Sequence, residues 1–245
     1  MTGTAFDKLA ERYDQIWSRS AIGHYQRDAV WRVLDPLVRS GDSMLDLGCG
    51  TGEDALHFLS RGVYVHGIDA SAEMVRVARA RGVDAQRLAL ESLEKLHGSY
   101  DCAISNFGTF NCVQRFDRVA SALAQLIRPG GFLAICLMSP SCIWEIGYFL
   151  GRANPSKAFR RWRPDGCPSA IGIQVYYPST KRLAHTFRDF KLTQWRGIGL
   201  FVPPSFVSEL SEPAIAKLAA LDRHVAHWPF LRAWSDHRLL LFRRI

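Results

Sequence analysis

The chain has 245 residues, a formal net charge of +8 and 48% hydrophobic residues. These values are typical of a globular protein and exclude a disordered or fibrous chain. At roughly 150 residues per domain, the length predicts a single domain over residues 1–245. The longest apolar run, Phe132 to Met138, is shorter than the roughly 20 residues that cross a bilayer, and no apolar signal segment precedes it. We therefore expect a cytoplasmic protein with no membrane partner.

The cysteines and the basic residues give little direct indication of function. The six cysteines form no Cys-x-x-Cys pair, and Cys102 and Cys136 lie inside apolar runs. Buried free thiols are therefore expected, with no metal site and no disulfide. The basic residues are scattered apart from Arg160, Arg161 and Arg163, which we expect at a solvated helix end.

From residue 43 onward, short apolar runs alternate with helical patterns, an order typical of parallel strands joined by crossover helices. Strands are predicted at residues 43–47, 63–68, 85–89, 100–105 and 132–138. Helices are predicted at residues 53–61, 72–81 and 115–127. These strands are too apolar for a sheet with one solvated face, so helices should cover both faces. The sequence therefore predicts an α/β fold.

The flanking segments are less regular. An apolar face with steps of three and four predicts a helix over residues 21–39 that covers the sheet. Further strands are predicted at residues 173–177, 191–197 and 238–242, and further helices at residues 180–190 and 213–225. We expect N-terminal cap helices at 1–40, a ligand-binding core at 43–139, an inserted substrate cap at 140–170 and the C-terminal part of the sheet at 171–245.

A glycine-rich loop follows the first predicted strand, where residues Asp46 to Gly52 read DLGCGTG. Glycine permits positive φ and close approach of a ligand, and the following helix start presents free N–H groups. Asp69 ends the second predicted strand, a position from which a carboxylate can accept hydrogen bonds from both ribose hydroxyls. The spacing is not that of a dinucleotide loop, and Glu53 would oppose a pyrophosphate. The pattern favours a nucleoside ligand that carries an ammonium and a sulfonium group.

The run LDLGCGTG followed by GIDAS resembles the class I S-adenosylmethionine-dependent methyltransferases over residues 6–138. The resemblance implies a Rossmann-like fold with a mostly parallel seven-stranded sheet. It also implies S-adenosylmethionine as cofactor, with S-adenosylhomocysteine as product. In that family the glycine loop cradles the methionine part and the acid after the second strand binds the ribose. These roles carry over to Asp46, Gly48, Gly50, Gly52, Asp69 and the adjacent Ala70.

Two further positions match the family. The run FDKLAERYDQIW resembles its small-molecule branch, in which a tyrosine closes over the cofactor, and this residue is Tyr13. Met74 matches a position that packs on adenine. The chain departs from the pattern after the third strand, where the family often has an acid that contacts the adenine amino group and this chain has Ala89. Glu91 or a backbone carbonyl is the candidate for that contact, and the neighbouring Leu90 is also expected at the cofactor site.

Asn106 ends the fourth predicted strand, at the crevice where open parallel sheets bind ligands. It would line the cofactor or the acceptor, although an asparagine can also hydrogen-bond within its own turn. The run from Asn106 to Gly108 lacks the Asn/Asp-Pro-Pro-Tyr/Phe motif of enzymes that methylate exocyclic nitrogens in nucleic acids or glutamine. The motif therefore gives no support for a nucleic-acid substrate.

Methyl transfer from a sulfonium depends on alignment and on exclusion of water more than on acid–base help. A hydroxyl or carboxyl acceptor could still use a base, and the catalytic candidates are Glu145, Tyr177 and His24. Alternatively, Glu145 would face solvent from a packing helix, Tyr177 would cap a strand, and His24 would be solvated. His185 is a further candidate base, with a solvated histidine as the alternative, and Arg196 is a candidate for substrate contact, with a surface ion pair as the alternative.

The sequence thus predicts methyl transfer from S-adenosylmethionine to a small molecule. Anionic and aromatic acceptors are both open, as are oxygen, nitrogen and carbon as the methylated atom. One alternative is an RNA methyltransferase, which the +8 charge favours, although no RNA-binding module accompanies it. The other is a non-catalytic S-adenosylmethionine-binding protein. The only sequence feature that favours it is Ala89, at the position where the family often has an acid. The oligomeric state is left open.

Overall fold

A seven-stranded sheet organises the residues that the computed structural model describes, 2–207 and 210–245. Its strands in chain order are β1 (Ser43–Leu47), β2 (Tyr64–Asp69), β3 (Asp84–Arg87), β4 (Tyr100–Ser105), β5 (Ile127–Met138), β8 (Phe190–Ile198) and β9 (His237–Arg244). Across the sheet the order is β3-β2-β1-β4-β5-β9-β8. The first five strands in this order are parallel, and β9 is antiparallel to both of its neighbours. The predicted α/β fold is confirmed.

Two short strands, β6 (Cys167–Pro168) and β7 (Gln174–Val175), form a separate antiparallel hairpin. The α-helices in chain order are α1 (Thr2–Asp7), α2 (Ala10–Tyr13), α3 (Ala21–Leu34), α4 (Glu53–Leu59), α5 (Ala72–Ala80), α6 (Asp117–Leu126), α7 (Ile143–Leu150), α8 (Pro155–Ala158), α9 (Thr180–Thr186) and α10 (Glu212–Val225). None of the described helices is long and apolar enough to cross a membrane.

Helices cover both faces of the sheet, as the apolar strands predict. On one face, Leu45 of β1 belongs to an apolar cluster with Leu123 of α6 and Leu183 of α9. On the other face, Met44 belongs to a cluster that includes side chains from α3, α4 and α5, such as Phe58. Neighbouring residues of one strand thus enter opposite cores, because successive side chains point to opposite faces.

Most predicted elements are present, with shifted ends. The helix predicted over residues 21–39 ends at Leu34, because Pro36 lacks an N–H and restricts the residue before it. The helix predicted over 180–190 ends at Thr186, and Phe190 already begins β8. The third strand ends at Arg87, so the segment predicted to reach residue 89 leaves the sheet earlier.

The strand predicted at residues 173–177 does not join the main sheet, contrary to the expectation for residues 171–245. Only Gln174–Val175 is extended and paired there, and its partner is Cys167–Pro168 rather than a strand of the main sheet. The next residue, Tyr176, donates its backbone N–H to the Asn111 carbonyl in the turn after β4. The hairpin is therefore fastened over the carboxyl end of β4.

Candidate functional site

A cavity of about 690 Å³ opens where the parallel strands end. Its walls are the loop after β1, the end of β2, the segment after β3, the turn after β4, the N-terminal helices and the β6–β7 hairpin. This is the crevice in which open α/β sheets bind their ligands. The predicted cofactor residues that line it are Tyr13, Gly48, Gly50, Asp69, Ala70, Met74, Leu90, Glu91 and Asn106.

The three glycines of the loop have positive φ, at 78° for Gly48, 53° for Gly50 and 85° for Gly52. A Cβ on Gly48 would stand 2.1 Å from the Thr109 hydroxyl, whereas no atom lies within 4 Å of the corresponding point on Gly50. The backbone at Gly50 is therefore open to a ligand. Gly52 does not line the cavity. A Cβ at this position would stand 2.8 Å from Val83 Cγ2, so the space there is filled by the protein itself. Its place in the loop is explained by packing, contrary to the sequence interpretation.

Asp69 joins the end of β2 to the glycine loop. Its Oδ2 accepts a hydrogen bond from the Gly50 N–H at 3.0 Å, and its Oδ1 accepts one from the Ser71 N–H at 2.8 Å. Burial raises the pKa of this carboxyl, and the two backbone donors act in the opposite direction. A carboxylate oriented in this way retains lone pairs for further donors, such as a vicinal diol.

Asp46 lies behind the cavity wall. Its side chain is buried and does not line the cavity. This placement does not support the predicted direct contact with the cofactor. Within the described structure its Oδ2 has no hydrogen-bond partner. Burial, followed by the charge of Asp54, raises its pKa well above the ordinary value. Asp46 thus places a polar, poorly solvated group beneath the glycine loop.

The turn after β4 is held from behind by a buried network. The Asn106 amide donates to Asp54 Oδ1 at 3.0 Å, so its amide partner lies outside its own turn. Asp54 also pairs with Arg27. Phe107 has a φ of 48°, and its ring lies 5.3 Å from the Arg27 guanidinium carbon and 5.5 Å from the Trp17 ring. These contacts hold a left-handed conformation that non-glycine residues seldom adopt.

The segment after β3 forms the opposite wall. Ala89, at the position where an acid was considered, lines the cavity together with Leu90 and Glu91. The Glu91 side chain is largely exposed, while the Met74 side chain is buried beneath the same region. The Met74 N–H donates to Ser71 Oγ at 3.1 Å, which caps α5 and fixes the start of the helix.

The N-terminal helices cover the cavity and are fastened to two of its walls. Tyr13 lines the cavity, and burial raises its pKa to about 12. The Thr51 hydroxyl donates to Asp14 at 2.6 Å, which attaches the segment to the glycine loop. The Ser71 hydroxyl donates to Asp7 at 2.6 Å, which attaches it to the end of β2.

The far end of the cavity is apolar, and most of this lining was not predicted from the sequence. It comprises Val113, Met138, Ile171, Ile173 and Val175. The charged lining residues come from the ends of β2 and β3 and from the segment after β3, and none comes from the hairpin; they are Asp69, Arg87, Glu91 and Lys95. No histidine is found among the described residues that line the cavity. The sequence signal for this wall is the pair of short apolar runs on either side of Gly172, which is typical of a hairpin.

Glu145 is not at the cavity, contrary to the catalytic hypothesis, and it does not face solvent either. It is 1% exposed and accepts hydrogen bonds from Arg160 Nε at 2.6 Å and Arg161 Nη2 at 2.8 Å. Arg161 is itself buried, so the expectation of a solvated helix end is wrong for this residue. The charge of Glu145 is neutralised by these buried ion pairs.

Tyr177 and His24 also lie outside the cavity lining. Burial raises the pKa of the Tyr177 hydroxyl, which is 3.7 Å from the sulfur of Cys167. His24 is exposed on α3. His185 and Arg196 do not line the cavity. The described cavity therefore brings together the predicted cofactor residues other than Asp46 and Gly52, and none of the predicted bases.

Comparison with known proteins agrees with the fold. A methyltransferase-domain family model matches residues 44–131. Demethylmenaquinone methyltransferase of Thermobifida fusca is 31% identical over 155 residues, which cover 60% of this chain and 64% of that enzyme. The ubiquinone/menaquinone biosynthesis C-methyltransferase of Methylococcus capsulatus is 33% identical over 150 residues, covering 55% and 58%. The match thus spans about six-tenths of the length of these curated relatives.

One solved structure can be compared with this chain over more of its length than the curated relatives. The S-adenosylmethionine-dependent methyltransferase from Mesorhizobium loti superposes with a TM-score of 0.60 at 22% identity, covering 87% of this chain and 97% of that one. The methyltransferase-domain model matches the part of the chain that carries β1, the glycine loop and the acid at the end of β2. The likeness to the solved structure shows the same fold.

Proposed function

We propose that this protein binds S-adenosylmethionine and transfers its methyl group to a small-molecule acceptor. One observation carries the proposal: a single cavity of about 690 Å³ runs from Gly50 and Asp69 to an apolar end under the β6–β7 hairpin. It thus has room for a cofactor and an acceptor side by side. Relatives named as quinone methyltransferases support an acceptor of small-molecule size.

The residues at the polar end fit the cofactor. The Asp69 carboxylate is oriented by two backbone donors and would accept the ribose hydroxyls. The open backbone at Gly50 would receive the methionine part, and Met74 lies where the adenine would rest. Tyr13 would close the cavity from the N-terminal side. Glu91 or a backbone carbonyl remains the candidate for the adenine contact, with Leu90 beside it, and Asn106 is the candidate for the methionine end.

Positioning and exclusion of water supply the catalytic effect in this proposal. When bound, the cofactor supplies an electrophilic methyl group on a positively charged sulfur. The protein holds the acceptor in line with that bond, an effect that can contribute about 7 kcal/mol when alignment is good. The N-terminal helices and the hairpin keep water out. In this proposal the acceptor atom is already nucleophilic, so that neither of the lining carboxylates, Asp69 and Glu91, is needed as a base.

Incubating the protein with methyl-labelled S-adenosylmethionine and a cell extract tests this function. We expect a labelled product of small-molecule mass that survives treatment of the extract with ribonuclease. Ile173→Asp should abolish the product because it places a charge at the apolar end of the cavity, while binding of S-adenosylhomocysteine persists. Ile245→Asp, at an exposed residue outside the cavity, is the matched control. Stoichiometric cofactor binding without any labelled product would instead indicate a non-catalytic binding protein.

A further inference from the structure

Helix α7 has the reverse of the usual burial pattern. Glu145, which carries a carboxylate, is the one residue of this helix that is buried. By contrast Ile143 is 53% exposed and Leu150 is 46% exposed. These two residues are seven positions apart, so they lie on the same face of the helix. Large apolar side chains on an outward face need an explanation when the charged residue of the same helix faces inward.

The buried ion pairs set this orientation. Glu145 pairs with Arg160 at 2.6 Å and with Arg161 at 2.8 Å, and Arg161 also pairs with Asp236 at 2.7 Å. Asp236 is buried beside β9, so the network ties α7 to the sheet. A buried charge without partners is costly, which means that turning α7 about its axis would break a compensated arrangement. The outward apolar face is therefore fixed by the fold.

Exposed aromatic residues extend this face. Phe159 and Trp162 follow α8, and their rings lie 4.8 Å apart. Trp162 is 54% exposed. Phe206 packs its partly exposed ring 5.6 Å from Phe149 of α7. We call this set the α7 surface, and its members are Ile143, Leu150, Phe159, Trp162 and Phe206.

The charge around the α7 surface is positive. Residues 141–164 contain a single acidic residue, the buried Glu145. The basic residues of the same segment that stand outside the ion pairs with Glu145 and Asp236 are Arg152, Lys157 and Arg163. Lys157 Nζ lies 5.6 Å from the Phe149 ring, so cationic and aromatic groups are interleaved. No carboxylate of this segment stands at the surface to repel an anion.

We propose that the α7 surface binds the anionic face of a lipid bilayer as a reversible, peripheral contact. Tryptophan, phenylalanine and aliphatic side chains enter the boundary between headgroups and acyl chains, while lysine and arginine remain at the headgroups. Each cation near an anionic surface adds to the attraction. Such contact needs no spanning helix, and it replaces the sequence-based expectation of no membrane partner. A nucleic-acid partner is less favoured because aliphatic Ile143 and Leu150 offer no stacking platform.

The α7 surface is separate from the cavity, since none of its members lines it. It nevertheless belongs to the same edge of the sheet. β5 ends at Met138, which does line the cavity, and α7 begins five residues later at Ile143. The hairpin that covers the apolar end of the cavity follows at Cys167. Membrane contact would therefore turn the edge of the sheet that holds the cavity toward the lipid phase.

Vesicle flotation of the intact protein tests the proposal. One set of vesicles is pure phosphatidylcholine and the other contains about 30% phosphatidylglycerol, which gives a negative surface. We expect binding to the anionic vesicles, little binding to the neutral ones, and loss of binding in about 0.5 M salt, where the Debye length falls below roughly 5 Å. Trp162→Ser and Ile143→Ser should each lower the partition coefficient about fivefold or more, close to 1 kcal/mol. Lys157→Gln should weaken binding to the anionic vesicles only.

Tyr64→Ser is the matched control, because Tyr64 is 72% exposed at the start of β2, on the opposite edge of the sheet. It should bind like the parent, and circular dichroism of every variant checks that the fold is retained. Absence of flotation with anionic vesicles would overturn the proposal, as would flotation that the α7 variants leave unchanged. Retention of tRNA by the parent and its loss in the same variants would assign the surface to RNA instead.

Discussion

The Asp69 carboxylate accepts a hydrogen bond from the Gly50 backbone N–H at 3.0 Å, so one side chain couples the end of β2 to the glycine loop. A second bond from the Ser71 N–H, at 2.8 Å, couples it to the start of α5. The sites proposed for the ribose and for the methionine part are therefore set relative to each other by a single carboxylate.

Asp69→Ala should weaken the binding of S-adenosylhomocysteine about 10- to 100-fold. A hydrogen bond to a charged group contributes about 1.5–3 kcal/mol, and the substitution also frees the Gly50 N–H. Glu91→Ala should change affinity less than about threefold, because the Glu91 side chain is largely exposed. Calorimetry of the two variants provides the comparison. Equal losses would assign the adenine contact to Glu91 and contradict the present mapping.

Asp14→Ala should speed the release of the cofactor. The Thr51 hydroxyl and the Arg81 guanidinium both bind Asp14, at 2.6 Å and 3.2 Å, and together they fasten the N-terminal helices to the glycine loop. We expect the dissociation rate of S-adenosylhomocysteine to rise about 5- to 20-fold in stopped-flow displacement. Glu11→Ala is the control, since its ion pair with Arg76 is exposed. An unchanged rate for Asp14→Ala would show that the N-terminal helices do not retain the cofactor.

Glu145→Gln should destabilise the fold and leave donor binding intact. Removing one charge from a buried ion pair costs about 3–5 kcal/mol, because Arg160 and Arg161 lose their shared partner. Urea unfolding should show this loss, whereas Glu73→Gln, which alters an exposed pair, should leave stability unchanged. A stable Glu145→Gln variant that fails only in methyl transfer would return Glu145 to the role of a base.

Asp46→Asn should raise stability at neutral pH and lose that advantage in acid. Burial raises the pKa of Asp46 in the folded protein, so the ionised carboxylate disfavours the fold. Below the unfolded value of about 3.9, both states are protonated and this penalty is absent. As pH rises through the folded pKa, the parent loses stability and the neutral amide does not. Thermal unfolding across pH checks this, with Asp165→Asn at an exposed site as control. An equal gain at pH 3 would contradict it.

Local patterns predicted the parts of the molecule that depend on near neighbours in sequence. β1 and β4 have the predicted bounds, because their apolar runs and flanking glycines and polar residues specify them locally. The glycine loop and Asp69, which the sequence placed after β1 and at the end of β2, are joined by the hydrogen bond from the Gly50 N–H. A sequence pattern cannot show which partner satisfies a polar group at long range. Glu145 was misjudged for this reason, since its partners lie 15 and 16 residues away.

The apolar end of the cavity was missed for a related reason. Its hairpin is too short to show an alternating pattern, and it is placed by contacts with a distant turn, such as the bond from the Tyr176 N–H to the Asn111 carbonyl. For Asp46, by contrast, the sequence predicted a contact that the placement of the side chain does not support. Its position in the motif suggested contact with the cofactor, whereas the strand directs its side chain into the interior behind the loop.

Calorimetric titration of the purified protein with S-adenosylmethionine and with NAD tests the central claim most directly. The geometry at Gly50 and Asp69 predicts one cofactor per chain, a dissociation constant in the micromolar range or below, about −8 kcal/mol, and no heat with NAD. Tight binding of NAD with no heat from S-adenosylmethionine would contradict the account of this cavity.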